Sequence, residues 1–186
     1  MKQQFIRFSA MCLLFSVAVV GCKKDDHSHD ESELITTVNV KLTESGTTNA
    51  TTFTFRDTDG PGGNAPTKFD TIKLAPNKTY NCEITVLNES VTPAEDKTPE
   101  IRTEANDHQF YFAVTQANIT VSNLDTDSRS LPLGLTSRWV TTTATPTGVT
   151  GSVRVTLKHK PGTKASGDDV SKGETDIEIA FPAVVR

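Results

Sequence analysis

The chain has 186 residues, 35% hydrophobic and 6% aromatic, which suffices for one modest core and excludes a large multidomain enzyme. Residues 1–21 read as a removable leader. Taking Lys2 and Arg7 away with it leaves 17 of the 19 basic residues against 23 acidic ones, a net charge of −6 that makes duplex nucleic acid a poor partner.

The leader reading rests on Lys2 and Arg7 ahead of residues 8–20, an uninterrupted, mostly apolar run with the build of a secretory signal peptide and too short to span a bilayer comfortably. Val19-Val20-Gly21-Cys22 follows, and this resembles the bacterial lipobox. The resemblance implies that the Cys22 thiol receives a diacylglyceryl group, that the leader is cut before it, and that the new amino terminus is acylated, palmitate being the expected chain. At about 0.8 kcal/mol per buried methylene, two or three acyl chains make a lasting anchor. Next come Lys23-Lys24-Asp25-Asp26, a lysine followed by two acids, similar to the export signal that carries Bacteroidota lipoproteins to the cell exterior. Residues 23–33 hold nothing apolar, so residues 22–33 form a lipidated, solvated acidic tether, and the folded domain spans 34–186.

Within that domain, apolar and polar residues alternate: Val38, Val40 and Leu42, then Phe53 and Phe55, Ile72 and Leu74, and Tyr80 through Val86. Thr98 as cap and Pro99 at the first turn mark one short helix, with Ile101, Ala105 and His108 on one face. Alternation resumes at Phe110, Phe112 and Val114, at Ile119 and Val121, at Leu133 and Leu135, at Val153, Val155 and Leu157, and at Ile177, Ile179 and Phe181. Gly, Pro, Asn and Asp clusters, such as Ala75-Pro76-Asn77 and Pro161-Gly162, separate the runs as turns. Residues 160–173, rich in Gly, Ser, Lys and Asp, read as a mobile loop. About nine strands without long amphipathic helices predict an all-β fold, a single antiparallel β-sandwich of immunoglobulin-like or Greek-key type. Cys12 leaves with the leader and Cys22 is lipidated, so Cys82 is the remaining thiol. Its phase with Tyr80, Ile84 and Val86 makes it a core residue.

Several segments carry a resemblance to a group of uncharacterised Bacteroidota outer-membrane lipoproteins: Glu33-Leu34-Ile35-Thr36-Thr37-Val38, Phe55-Arg56-Asp57-Thr58-Asp59-Gly60, Leu87-Asn88-Glu89-Ser90, His108-Gln109-Phe110 and Gly173-Glu174-Thr175-Asp176-Ile177-Glu178. Members are sometimes labelled as type 1 periplasmic-binding folds, an α/β two-lobed architecture. The strand pattern here points instead to a sandwich. The resemblance implies no activity.

Histidines give the first chemical constellation. His108 precedes Phe110 and Phe112 in phase, and His159 follows Leu157 in phase, so both imidazoles end inward-facing rows. If those row ends meet, Asp107, Glu174 or Asp176 completes a Zn²⁺ or Cu²⁺ site; otherwise each histidine caps its own strand. In the tether, His27 and His29 among Asp25, Asp26, Asp30 and Glu31 offer a loose second site, at the entropic cost of ordering a flexible segment. Asp57 with Asp59, and Asp125 with Asp127, space carboxylates as calcium loops do. An EF-hand is excluded because positions five and twelve from Asp57 are Pro61 and Lys68. The competing account is turn chemistry. No Gly-x-Ser-x-Gly elbow, phosphate loop or His-Glu-x-x-His pair occurs, and Trp139, Tyr80 and Tyr111 are few aromatics for a sugar groove. The sequence thus predicts a non-enzymatic binding or structural lipoprotein, anchored in the outer membrane and facing the cell exterior, with no certain cofactor. It serves as a metal-binding accessory to an outer-membrane transporter, or as an adhesion or surface-layer subunit with an exposed strand edge for a protein partner.

Overall fold

The computed structural model describes residues 34–60 and 63–186. The leader, Cys22, the tether and its His27 and His29 lie outside these. Eleven strands and one helix occur among the described residues: β1 (Thr37–Glu44), β2 (Ala50–Arg56), β3 (Lys68–Phe69), β4 (Ile72–Leu74), β5 (Thr79–Asn88), β6 (Glu95–Asp96), α1 (Thr98–Thr103), β7 (His108–Thr115), β8 (Ile119–Ser122), β9 (Thr136–Thr141), β10 (Gly151–His159) and β11 (Glu174–Val185). One sheet runs β3-β2-β1-β5-β9-β8, with β6 paired to β5; the other runs β4-β11-β10-β7. The expected all-β sandwich is thereby present. One ladder departs from antiparallel pairing: β4 lies parallel to the end of β11, Ile72 opposite Ala183 and Leu74 opposite Val185.

Registers explain the core. Val38, Val40 and Leu42 stand between Phe55, Phe53 and Thr51 on one side and Val86, Ile84 and Cys82 on the other. In the facing sheet, Val153, Val155 and Leu157 stand between Val114, Phe112 and Phe110 and Phe181, Ile179 and Ile177. Side chains alternate with period two, so each set forms one inward layer, and the two layers share a single apolar cluster. Each fully buried Val, Leu or Ile contributes about 1.5–3 kcal/mol relative to exposure. Trp139 joins the sheets: its ring meets that of Phe112 edge-on at 6.0 Å, and its indole N–H donates to Ser137 Oγ at 3.0 Å. Trp139 and Tyr80 are buried core residues, so neither is available to stack on a sugar.

Three expectations are corrected. Leu133 and Leu135 are buried, but they lie in a loop rather than a strand. The Asp125 carboxylate takes the Gly134 and Thr136 N–H groups, and β9 starts only at Thr136. At α1 the N-cap is Lys97 rather than Thr98. The Thr98 hydroxyl accepts the Val86 N–H of β5 instead, while the Asp96 carboxylate accepts the Thr98 N–H. The loop 160–173, expected to be free in solvent, is bound down by two buried lysines. Lys160 Nζ reaches Gln109 Oε1 at 3.1 Å, the Tyr111 hydroxyl, and Asp168 Oδ2 at 3.6 Å. Lys164 Nζ donates to the Ala105 and His108 carbonyls at 2.7 and 2.8 Å and pairs with Asp127 Oδ2 at 3.1 Å.

Candidate functional site

The two histidines do meet. His108 and His159 are directly opposite at the end of the β7–β10 ladder, and their rings stack with centroids 4.5 Å apart and planes 7° from parallel. His108 is wholly buried, with Nδ1 3.2 Å from the Glu104 carbonyl and 3.9 Å from Glu104 Oε2. Its Nε2 lies 3.9 Å from Asp176 Oδ2, longer than a hydrogen bond, and both side chains are fully shielded from solvent. Burial pushes the His108 imidazole below its ordinary value of 6.5. The Glu104 carbonyl opposes the shift, and neighbouring His159 reinforces it.

Asp176 is there because of a bulge. Strict alternation with Ile177, Ile179 and Phe181 would aim it outward. The β10–β11 register slips between Leu157 and Lys158: Leu157 faces Ile177, whereas Lys158 faces Thr175, and Asp176 is the extra residue. Such an insertion re-aims a side chain, here into the interior beside His108. Glu174 stands in register with His159 but is exposed, and Asp107 binds the Gly162 N–H through its carboxylate at 2.9 Å. Neither joins the imidazoles. The carboxylate that does is Glu104, four residues before His108: one ligand atom each from Glu104, His108 and His159 all lie within 4.8 Å of one another. The sequence reading did not single out Glu104, which caps the C-terminus of α1 in the turn leading to His108.

Asp176 also borders an open cavity. A cavity of about 710 Å³ is lined by Leu34, Ile35, Phe55, Asp57 and Phe69 from the first sheet's side and by the six consecutive residues 175–180 of β11. Alternate side chains of a strand face opposite ways, so six successive residues border one space only if it runs along the strand's edge. The ladders agree. β11 bonds β10 on one side, and on the other it meets β4 only from Ala183 onward, so among the described residues its edge over 174–182 has no ladder partner. Phe69, stacked edge-on against Phe181 at 5.9 Å, bounds this space. Leu34 and Phe69 are 52% and 48% exposed, two of the four large apolar residues that reach solvent among the described residues. Asp57, Asp176 and Glu178 line the groove, which contains no lysine or arginine. Glu178 pairs with Arg154 at 2.7 Å, both side chains reaching solvent. Burial and neighbouring Asp59 push the Asp57 carboxyl above the ordinary carboxylate value.

The carboxylates expected at calcium are used as loop staples. Asp125 Oδ1 accepts two backbone N–H groups and its Oδ2 faces Arg102 at 3.8 Å. Asp127 Oδ1 accepts the Arg129 and Leu131 N–H groups, and its Oδ2 faces Lys164 and Arg129. Cations already stand where calcium would, so this pair gives a structural loop rather than an ion site. Asp59 Oδ2 accepts the backbone and side-chain N–H groups of Asn64. Cys82 is buried in the core as expected, and burial pushes its thiol up to about 12, against a weaker opposing bond to Ser137. No helix among the described residues is long and apolar enough to cross a membrane.

Compared with known proteins, the chain matches no family model, no curated protein and no solved structure.

Proposed function

We propose that this is a lipid-anchored, non-catalytic lipoprotein of a Bacteroidota-type outer membrane, displayed outward, which binds a protein partner by accepting an extended segment along the edge of β11. The observation that carries the reading is the apolar groove bordered by residues 175–180, an unpaired strand edge beside Phe55 and Phe69. Backbone groups on such an edge recognise another strand, and flanking pockets take its alternate side chains. With no lysine or arginine among its lining residues, and with Asp57 and the exposed Glu178 beside the apolar side chains, the groove suits a segment that alternates apolar residues with lysine or arginine. Val19-Val20-Gly21-Cys22 and the following Lys23-Lys24-Asp25-Asp26 supply the anchor and the address.

Ten-residue peptides alternating valine with lysine, and their valine–glutamate counterparts, test the groove. The basic peptide is expected to bind, to slow amide exchange over residues 175–180, to weaken with added salt and to fail on Phe69→Asp. Equal binding of both peptides, or of neither, overturns the reading. The anchor is tested separately: Cys22→Ala is expected to move the chain from the membrane fraction to the soluble one.

A further inference from the structure

We infer that Glu104, His108 and His159 form a binding site for a zinc-class divalent ion, with Asp176 behind His108 as the group that orients it. The two share Asp176, which borders the groove and stands behind His108, but the ion site does not require the peptide reading.

Two independent observations support it. One ligand atom from each of the three side chains falls within a common 4.8 Å span, and the donor set of two imidazoles and one carboxylate suits Zn²⁺ rather than Ca²⁺ or Mg²⁺. In addition, His159 Nδ1 is buried with no hydrogen-bond partner. Buried polar atoms are rarely left so, because each forfeits its solvation without return.

The geometry fixes the roles. His108 Nε2 faces Asp176 and Nδ1 faces the Glu104 carboxylate. An Nε2–H directed at Asp176 leaves the Nδ1 lone pair for the metal, the carboxylate–histidine–metal arrangement that sets ring tautomer and basicity. The bulge that turns Asp176 inward thereby acquires a purpose.

Ion entry requires a rearrangement. Imidazole lone pairs lie in the ring plane, and two rings stacked 7° from parallel cannot both aim at one ion. Ligand atoms around tetrahedral zinc stand roughly 3.3 Å apart, so the cluster must also contract. His108 is locked in the core, whereas His159 is only partly buried and Glu104 is exposed. Binding therefore turns His159 out of the stack and swings Glu104 in, and the ion replaces the contact between Nδ1 and the Glu104 carbonyl. An opposing charge comes from Lys164, whose ammonium sits on the His108 carbonyl and is offset by Asp127. Three protein ligands leave a fourth position for water.

The test uses the mature chain carrying His27→Ala and His29→Ala, which removes the tether imidazoles. After dialysis against Zn²⁺, metal analysis is expected to find one zinc per chain, and Co²⁺ substitution to give visible d–d absorption. His159→Ala and Glu104→Gln, both at solvent-accessible positions, should each weaken zinc binding by about a hundredfold, and Asp176→Asn by about tenfold. Glu174→Gln should change nothing. Circular dichroism confirms that each variant keeps its strand content. Absence of zinc after dialysis, or zinc and cobalt bands undiminished in His159→Ala, overturns the site, and neither outcome bears on the peptide titration.

Discussion

Lys164 shows how strongly a single side chain can organise this molecule. Its ammonium is fully buried, and burial lowers its proton affinity below the ordinary lysine value while Asp127 opposes the shift. It ties loop 160–173 to the end of α1, to the start of β7 and to the Asp127 loop at once. Removing one member of such a pair leaves the other charged and shielded from water. Lys164→Ala is therefore expected to destabilise the fold by about 3 kcal/mol, read as a lowered urea midpoint, whereas Lys164→Met combined with Asp127→Leu should recover most of the loss. Asp168 adds a pH signature. The Lys172 ammonium, then the Ala165 N–H, hold its carboxyl below the ordinary 3.8, with Lys160 contributing. A carboxyl depressed on folding stabilises above its ordinary value, and that contribution fades as pH falls through the depressed one. Proteolysis within 160–173 should thus be slow at pH 6 and accelerate below about pH 3.8, with the core ladders still protected from exchange. Cys82, with its thiol pushed up to about 12, should resist thiol reagents at pH 8 until the protein is unfolded in denaturant.

At the scale of elements, the inward rows of β1, β5, β7, β10 and β11 were legible because apolar residues at period two leave few alternatives. What alternation could not convey was a break in its own phase. Asp176 reads as an outward residue beside Ile177, and only the slip opposite Leu157 and Lys158 turns it inward. Leu133 and Leu135 misled for a related reason: they are buried with strand-like spacing, but the Asp125 carboxylate takes the N–H groups of Gly134 and Thr136. Composition misled over 160–173, because lysine reads as a solvent residue and nothing local reveals a buried acceptor some fifty positions away, as Gln109 is for Lys160. Phase marked both histidines as row ends and left open whether they meet; Glu104 was not singled out, since it belongs to the turn after α1 rather than to a strand. Gly151 is a further element-scale requirement. A Cβ there would collide with the Thr115 carbonyl at the end of the β7–β10 ladder, so Gly151→Ala should loosen that end and raise amide exchange at Ser152 and Thr115.

Across the whole molecule, the ring pair that joins the sheets is not among the residues of the proposed recognition groove. The sandwich is closed through Trp139 and Phe112, and Trp139→Ala is expected to remove about 3–5 kcal/mol, measured by thermal or urea unfolding. The proposed recognition side is the strand edge of β11, beside the cavity that Phe55 and Phe69 also line. A bare edge of this sort is also a template for like molecules, a hazard for copies crowded on one bilayer by the proposed anchor. Two copies aligning their β11 edges would set two grooves against each other, neither with a lysine or arginine among its lining residues, so neither offers the basic segment proposed as the partner. On that proposed reading, a groove suited to a basic stranger gives identical neighbours no charge to pair with.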